Sequence, residues 1–132
     1  MINLEDDGHC FVCGKSNPNG LKVDFNKTDN GVTAQFSADK RYQGYKDIVH
    51  GGIIASLLDE ASVKALVLRG IKAVTAEISL RYKTPLYVYE NVIINAAMGK
   101  IRGKVYEVDA EILKMNGDVV ARSKAKLMYY GE

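Results

Sequence analysis

Apolar residues recur along this chain with two different periods, and the change between them marks out its elements. Leu21, Val23 and Phe25 alternate with Lys22 and Asp24, and Val32, Ala34 and Phe36 alternate with Thr33 and Gln35. A period of two lines one face of a strand. Between the two runs stands Thr28-Asp29-Asn30-Gly31, whose Asn-Gly pair suits a tight bend, so residues 21 to 36 are expected to form a hairpin. Residues 37 to 49 have no period and read as loop. From residue 52 to 69 the period lengthens. Ile54, Leu57, Leu58, Ala61, Ala65 and Leu68 mark one stripe of a helix, and Gly70 supplies its stop. Four β-rich runs follow at 74–82, 92–98, 105–113 and 119–129, with Asn116-Gly117 between the last two.

The order is therefore β, β, α, β, β, β, β. One helix followed by a meander of four strands predicts an α+β architecture, with an antiparallel sheet packed on the helix. The other sheet face and the edges then need cover, which favours a homo-oligomer. A chain of 132 residues is about the size of one domain, so residues 1–132 are read as one unit.

Charge and composition narrow the partners. Eighteen Lys and Arg against sixteen Asp and Glu give a net charge of +2, with the two signs interspersed. That is not the footprint of a nucleic-acid or membrane-surface binder, and a small-molecule partner is expected instead. The start, Met1-Ile2-Asn3-Leu4-Glu5-Asp6-Asp7, is acidic and has no apolar block, and no run reaches the ~20 apolar residues of a membrane span. A cytoplasmic location is expected. Cys10 and Cys13 are the only cysteines, too few for a disulfide framework, so the core must hold the fold.

The candidate chemistry lies at the start of the helix, in His50-Gly51-Gly52, and further along it at Leu58-Asp59-Glu60. A helix that opens on glycines, without Ser, Thr, Asn or Asp at the junction, leaves backbone N–H groups free to receive developing negative charge. Asp59 lies seven residues beyond Gly52 and returns to roughly the same side of the helix. Its helical neighbours Ala55, Ser62 and Val63 include no cation, which suits a base. Glu60 stands four residues before Lys64 and is read as half of a helix-surface ion pair.

Taken together, Tyr42-Gln43-Gly44-Tyr45, Val49-His50-Gly51-Gly52, Leu58-Asp59-Glu60-Ala61 and Thr75-Ala76-Glu77 leading to Pro85 resemble the hot dog fold acyl-CoA thioesterases of the phenylacetate-pathway (PaaI-like) type. Cys10-x-x-Cys13-Gly14 with Asn17-Pro18-Asn19-Gly20-Leu21 looks like a leader seen in many of them. The resemblance implies a helix wrapped by an antiparallel sheet, two subunits joining their sheets, and active sites at the interface. It implies Asp59 as general base or nucleophile, Gly51 as the N–H donor to the thioester carbonyl, His50 as an orienting or assisting group, and Thr75 as a holder of the water. Gly52 allows close approach of substrate. Relatives often carry Asn or Gln where this chain has Gly44, so Gln43, one place earlier, is the candidate for that polar role. A pocket built across subunits would pair Gly51 of one chain with Asp59 of its partner.

Thr75 meets an objection. Strict alternation from Val74 through Ala76, Ile78, Leu80 and Tyr82 puts it on the opposite sheet face, unless a bulge or a partner subunit brings it in. Arg102 and Lys104 lie in a basic turn between strands, where they either meet the phosphates of coenzyme A or simply face solvent. Cys10-x-x-Cys13 has the spacing of half a zinc site with His9 beside it, but no second pair exists, so no metal and no cofactor is expected and the cysteines are read as structural or incidental. The leading function is hydrolysis of a medium-chain or aromatic acyl-CoA. The alternative is a non-catalytic hot dog module that binds acyl-CoA or an acyl carrier; hydratase chemistry is disfavoured by the lack of a paired histidine and carboxylate pattern.

Overall fold

A computed structural model describes residues 2–131; Met1, the first residue of the acidic start, lies outside them, as does Glu132. The elements are β1 (Asn26–Lys27), β2 (Gly31–Phe36), a 3-10 turn (Lys40–Tyr42), α1 (Gly51–Val67), β3 (Ala73–Tyr82), β4 (Val92–Arg102), β5 (Val105–Lys114) and β6 (Val119–Tyr129). The six strands make one antiparallel sheet in the order β1-β2-β4-β5-β6-β3. One helix on one antiparallel sheet is the α+β architecture that the residue pattern predicts.

Two expectations need correction. Residues 21–25 do not pair with β2: only Asn26 and Lys27 do, and Lys22 takes a left-handed φ of 56°. Leu21, Val23 and Phe25 are nonetheless buried, because the N-terminal loop receives them through bonds from Leu21 N to Phe11 O and Val23 N to Val12 O. Alternation reported burial correctly and pairing wrongly. The four later strands are also not a simple meander. Only β4, β5 and β6 run consecutively, while β3 joins the far edge beside β6. The α1 crossover carries the chain from β2 to that far edge, and residues 83–91 carry it back, so that β4 pairs with β2. A period of two says which face a residue takes, but not which neighbour the strand will find.

The core lies between α1 and the sheet. Ile54, Leu57, Leu58, Ala61, Ser62, Ala65 and Leu66 are buried along the helix. They face Ile94, Val108, Ile112, Ala121, Ala125 and Leu127 of the central strands. Each fully buried Leu or Ile contributes on the order of 1.5–3 kcal/mol relative to exposure, and the alanines let the helix sit close. Leu68, expected on the stripe, is exposed because the helix has ended, and Leu66 takes its place inside. Gly70, with φ of 79°, follows the end as expected.

The outer face carries a charge ladder in which Glu107, Asp109 and Glu111 of β5 stand opposite Lys126, Lys124 and Arg122 of β6. Opposite charges across the strands make that face fit for water. The ten-residue edge strand β3 is different, since its outer backbone groups have no neighbouring strand among the described residues. Among the described residues, no helix is long and apolar enough to cross a membrane.

Candidate active site

The helix start is built by the residue before it. His50 is the N-cap of α1, with φ of −59° and ψ of 135°, and its Nδ1 accepts the Gly52 N–H at 2.8 Å. A ring nitrogen that accepts an N–H carries no proton, so Nε2 is the nitrogen of the exposed His50 left to donate. His50 O takes the Ile53 and Ile54 N–H groups at 3.0 and 3.2 Å. Of the first four N–H groups of α1, Gly51's alone has no partner among the described residues. The glycine-led start therefore offers one free donor, and the histidine itself supplies the cap that the sequence pattern lacked. A Cβ at Gly52 would stand 3.1 Å from His50 Nδ1, so a larger residue there would push on the capping ring.

The loop that presents His50 is tied down from both sides. His50 N bonds Tyr42 O at 2.9 Å, and Val49 N bonds Leu86 O at 2.8 Å. Gln43 Oε1 accepts the Asp47 N–H at 3.0 Å, which closes a bend where Asp47 has a left-handed φ of 63°. Gln43 thus shapes the loop. Gly44 lies against the histidine, with its missing Cβ 3.5 Å from His50 Cδ2.

Asp59, partly buried in the third turn of α1, receives the Thr75 hydroxyl on Oδ1 at 2.6 Å. A register shift between Thr75 and Glu77 accommodates Ala76 as an extra residue in β3. The bulge is what turns Thr75 toward the helix, on the side of Ala73, while Ile78 and Leu80 resume the inward positions after it. The alternation objection is answered within one chain. Oδ2 of Asp59 has no hydrogen-bond partner, and Asp59 takes part in no ion pair among the described residues.

Gly51 and Asp59 are eight residues apart on one helix, roughly 12 Å along its axis at 1.5 Å per residue. One chain does not bring them together. Arg102 and Lys104 lie away from both: Arg102, Val105, Met128 and Val74 form one row across β4, β5, β6 and β3, so three strand spacings separate Arg102 from the Asp59–Thr75 pair. Arg102 is engaged with Glu107, its Nε 3.7 Å from Oε2.

Tyr82, at the end of β3, stands at the helix start. Its hydroxyl donates to Gly51 O at 2.8 Å, and its ring stands 3.6 Å from where a Cβ on Gly51 would be. Tyr82 is half exposed, so an aromatic wall flanks the free N–H. Its inward position continues the alternation of Ile78 and Leu80.

The chain is 30% identical over 88 residues to mouse acyl-coenzyme A thioesterase THEM4, covering 67% of this chain and 38% of that protein. The chain thus spans about two fifths of the length of that relative. Among solved structures, a thioesterase superfamily protein matches with a TM-score of 0.87 at 25% identity, over 92% of this chain and 60% of that one. The Escherichia coli PaaI protein from the phenylacetic acid degradation operon matches with a TM-score of 0.78 at 21% identity, over 84% and 81% of the two chains. The fold is thus the hot dog fold of the PaaI-like thioesterases. A family model described as the thioesterase superfamily matches residues 46–121, from the loop that presents His50 to the third residue of β6. With the match running through α1, the bulged strand and more than half of its length, the chain belongs to the thioesterase superfamily.

Proposed function

We propose that the protein hydrolyses the thioester of a medium-chain or aromatic acyl-CoA at a site shared by two subunits, with Asp59 of one and the Gly51 N–H of the other. The observation that carries this reading is the division of the helix: a donor free at its start, and a carboxylate held by Thr75 two turns on, too far apart to act on one carbonyl. In a dimer that pairs the β3 edges, each helix start would meet the partner's third turn. The name of the mouse relative, an acyl-coenzyme A thioesterase, supports the substrate class. The Tyr82 ring beside Gly51 supports an aromatic or medium-length acyl group.

In this mechanism Asp59 Oδ2 takes a proton from water as the water oxygen attacks the thioester carbonyl carbon. The carbonyl oxygen gains charge toward the Gly51 N–H. When the tetrahedral species collapses, the C–S bond breaks and Asp59 returns the proton to the departing coenzyme A sulfur. Thr75 holds Oδ1 so that Oδ2 keeps its aim. As a nucleophile instead, Asp59 would form an anhydride that water then cleaves. His50 acts by fixing the helix start, and Arg102 and Lys104 remain candidates for the coenzyme A phosphates. The proposal keeps the cytoplasmic location.

The test is a thiol-release assay over acyl-CoA chain lengths and aromatic acyl groups, with Asp59→Asn alongside. Turnover that peaks at medium or aromatic acyl groups and collapses in the variant supports the reading. No turnover on any thioester, or an unaffected variant, overturns it.

A further inference from the structure

The residues 8–14 form a tight loop whose two thiols converge on α1. Cys13 Sγ donates to Glu60 Oε2 at 3.0 Å, and Cys10 Sγ lies 3.6 Å from the same oxygen. The two sulfurs and the carboxylate oxygen all lie within 4.8 Å of one another. Glu60 is thus not simply the surface partner of Lys64; it is the third member of a cluster 47 residues from Cys13 in sequence.

The loop is preformed. Gly14 N bonds Cys10 O at 2.9 Å, and the Cys13 N–H points at Cys10 Sγ at 3.5 Å, a bond that favours a charged sulfur. A Cβ at Gly14 would strike the Cys10 backbone and stand 2.6 Å from Gly8 O, so the turn accepts only glycine there. Val12, between the cysteines, is buried in the core and anchors the turn on the fold. Without a cation the two thiols compete for one carboxylate oxygen.

We propose that Cys10, Cys13 and Glu60 bind one divalent cation of the zinc class, with the fourth position open to water. Tetrahedral zinc at 2.3 Å from sulfur and about 2.1 Å from oxygen sets sulfur and oxygen roughly 3.6 Å apart. Cys10 already has that separation, and Cys13 needs to withdraw by roughly 0.6 Å, within the reach of a side-chain rotation. Binding replaces the two thiol protons, which leave to solvent, with one cation; two thiolates, one carboxylate and one dication leave a net charge of −1. Lys64, next to Cys13 and Glu60, supplies the balancing charge: burial works against its ammonium, but these two neighbours hold it above the ordinary lysine range. Soft sulfur with a single carboxylate selects zinc over magnesium or calcium. The cysteine spacing alone gave half a site, because nothing local in the sequence brings Glu60 to it.

The test uses the whole chain, reduced with a phosphine and stripped of metal, titrated with Zn²⁺ against a chromophoric chelator and with Co²⁺ by absorption. One equivalent bound, with a sulfur-to-cobalt charge-transfer band that disappears in Cys10→Ser and in Cys13→Ser, is the expected result. Glu60→Gln keeps the band and weakens Zn²⁺ by more than about tenfold, more than the lower end for loss of an outer-shell partner. Circular dichroism of each variant confirms that the fold is retained. A reduced wild-type chain that shows no band, serine variants that bind as wild type, or Glu60→Gln with unchanged affinity would each overturn the site.

Discussion

Thr75 and Asp59 are joined by a 2.6 Å hydrogen bond that exists only because β3 carries one extra residue before Glu77. The bond orients a carboxylate with no ion-pair partner, so its two members should act as a unit. Asp59→Asn is expected to lower kcat by about 10²–10⁴-fold, the usual contribution of a general base. Thr75→Val should lower it by about tenfold to a hundredfold, Thr75→Ser should restore most of it, and the double variant should be far less impaired than the product of the two effects. Additive losses would separate Thr75 from Asp59.

The bulge itself can be removed. Deleting Ala76 makes β3 regular and turns either Thr75 or the residues after it to the other face. Loss of turnover is expected with the α+β circular dichroism spectrum retained, and a fully active deletion variant would show that the hydroxyl is dispensable.

Gly51 is the first residue of α1, where proline is tolerated: the missing N–H has no helical partner and the preceding residue already has the extended ψ that proline demands. Gly51→Pro therefore removes one donor with little disturbance of the helix, and the missing Cβ has room 3.6 Å from Tyr82. A fall in kcat of about 10²–10³-fold is expected, the size seen for loss of one oxyanion donor. Mixing Gly51→Pro with Asp59→Asn subunits should return about a quarter of wild-type activity, because each random heterodimer holds one intact site of two. No recovery on mixing would place both groups in one chain.

His50 caps through Nδ1, so a side chain that also accepts should substitute for it. His50→Ala is expected to reduce stability by about 1 kcal/mol in urea unfolding, and His50→Asn to recover most of that. Turnover in His50→Asn near wild type would fix the role of His50 as positional; a large loss of kcat despite recovered stability would assign the Nε2–H to the chemistry.

The loop before α1 gives a pH prediction of defined sign. The hydrogen bonds from Arg41 hold the Asp39 carboxyl below the ordinary carboxylate range. A lowered folded value means that the pair's small, solvent-screened stabilisation is present above the unfolded value and disappears as pH falls through the folded one. A carboxyl-detected NMR titration should show Asp39 ionising at unusually low pH, returning to the ordinary range in Arg41→Ala. An Asp39 that titrates normally in the wild type would remove the pair.

What was legible in the residues and what was not divides along physical lines. Ile54, Leu57, Leu58, Ala61 and Ala65 announced the helix and its buried face, because a helix repeats locally and its stripe can be counted. The importance of His50, Gly51 and Asp59 could be suspected from their spacing. The inward turn of Thr75 could not, since a bulge breaks the count on which face assignments rest. The placement of β3 beside β6 was equally hidden, because strand partners are chosen across the whole fold. Gln43, a candidate for a polar role at the site, has its oxygen engaged with the Asp47 N–H of its own bend, a contact that nothing local in the sequence announces. Glu60 was assigned to the nearest cation in sequence, and the structure gives it to thiols nearly fifty residues upstream.

Both ends of β3 brace α1, Thr75 at Asp59 and Tyr82 at Gly51, and β3 is also an open edge of the sheet. In the proposed dimer a single strand would then carry the assembly contact and both halves of the chemistry. Substrate that spans two chains would draw the monomer–dimer equilibrium toward the dimer, and by reciprocity the dimer would draw substrate in by the same factor. Specific activity should therefore rise with protein concentration until the dimer saturates, and the concentration for half-activity should fall when substrate is abundant.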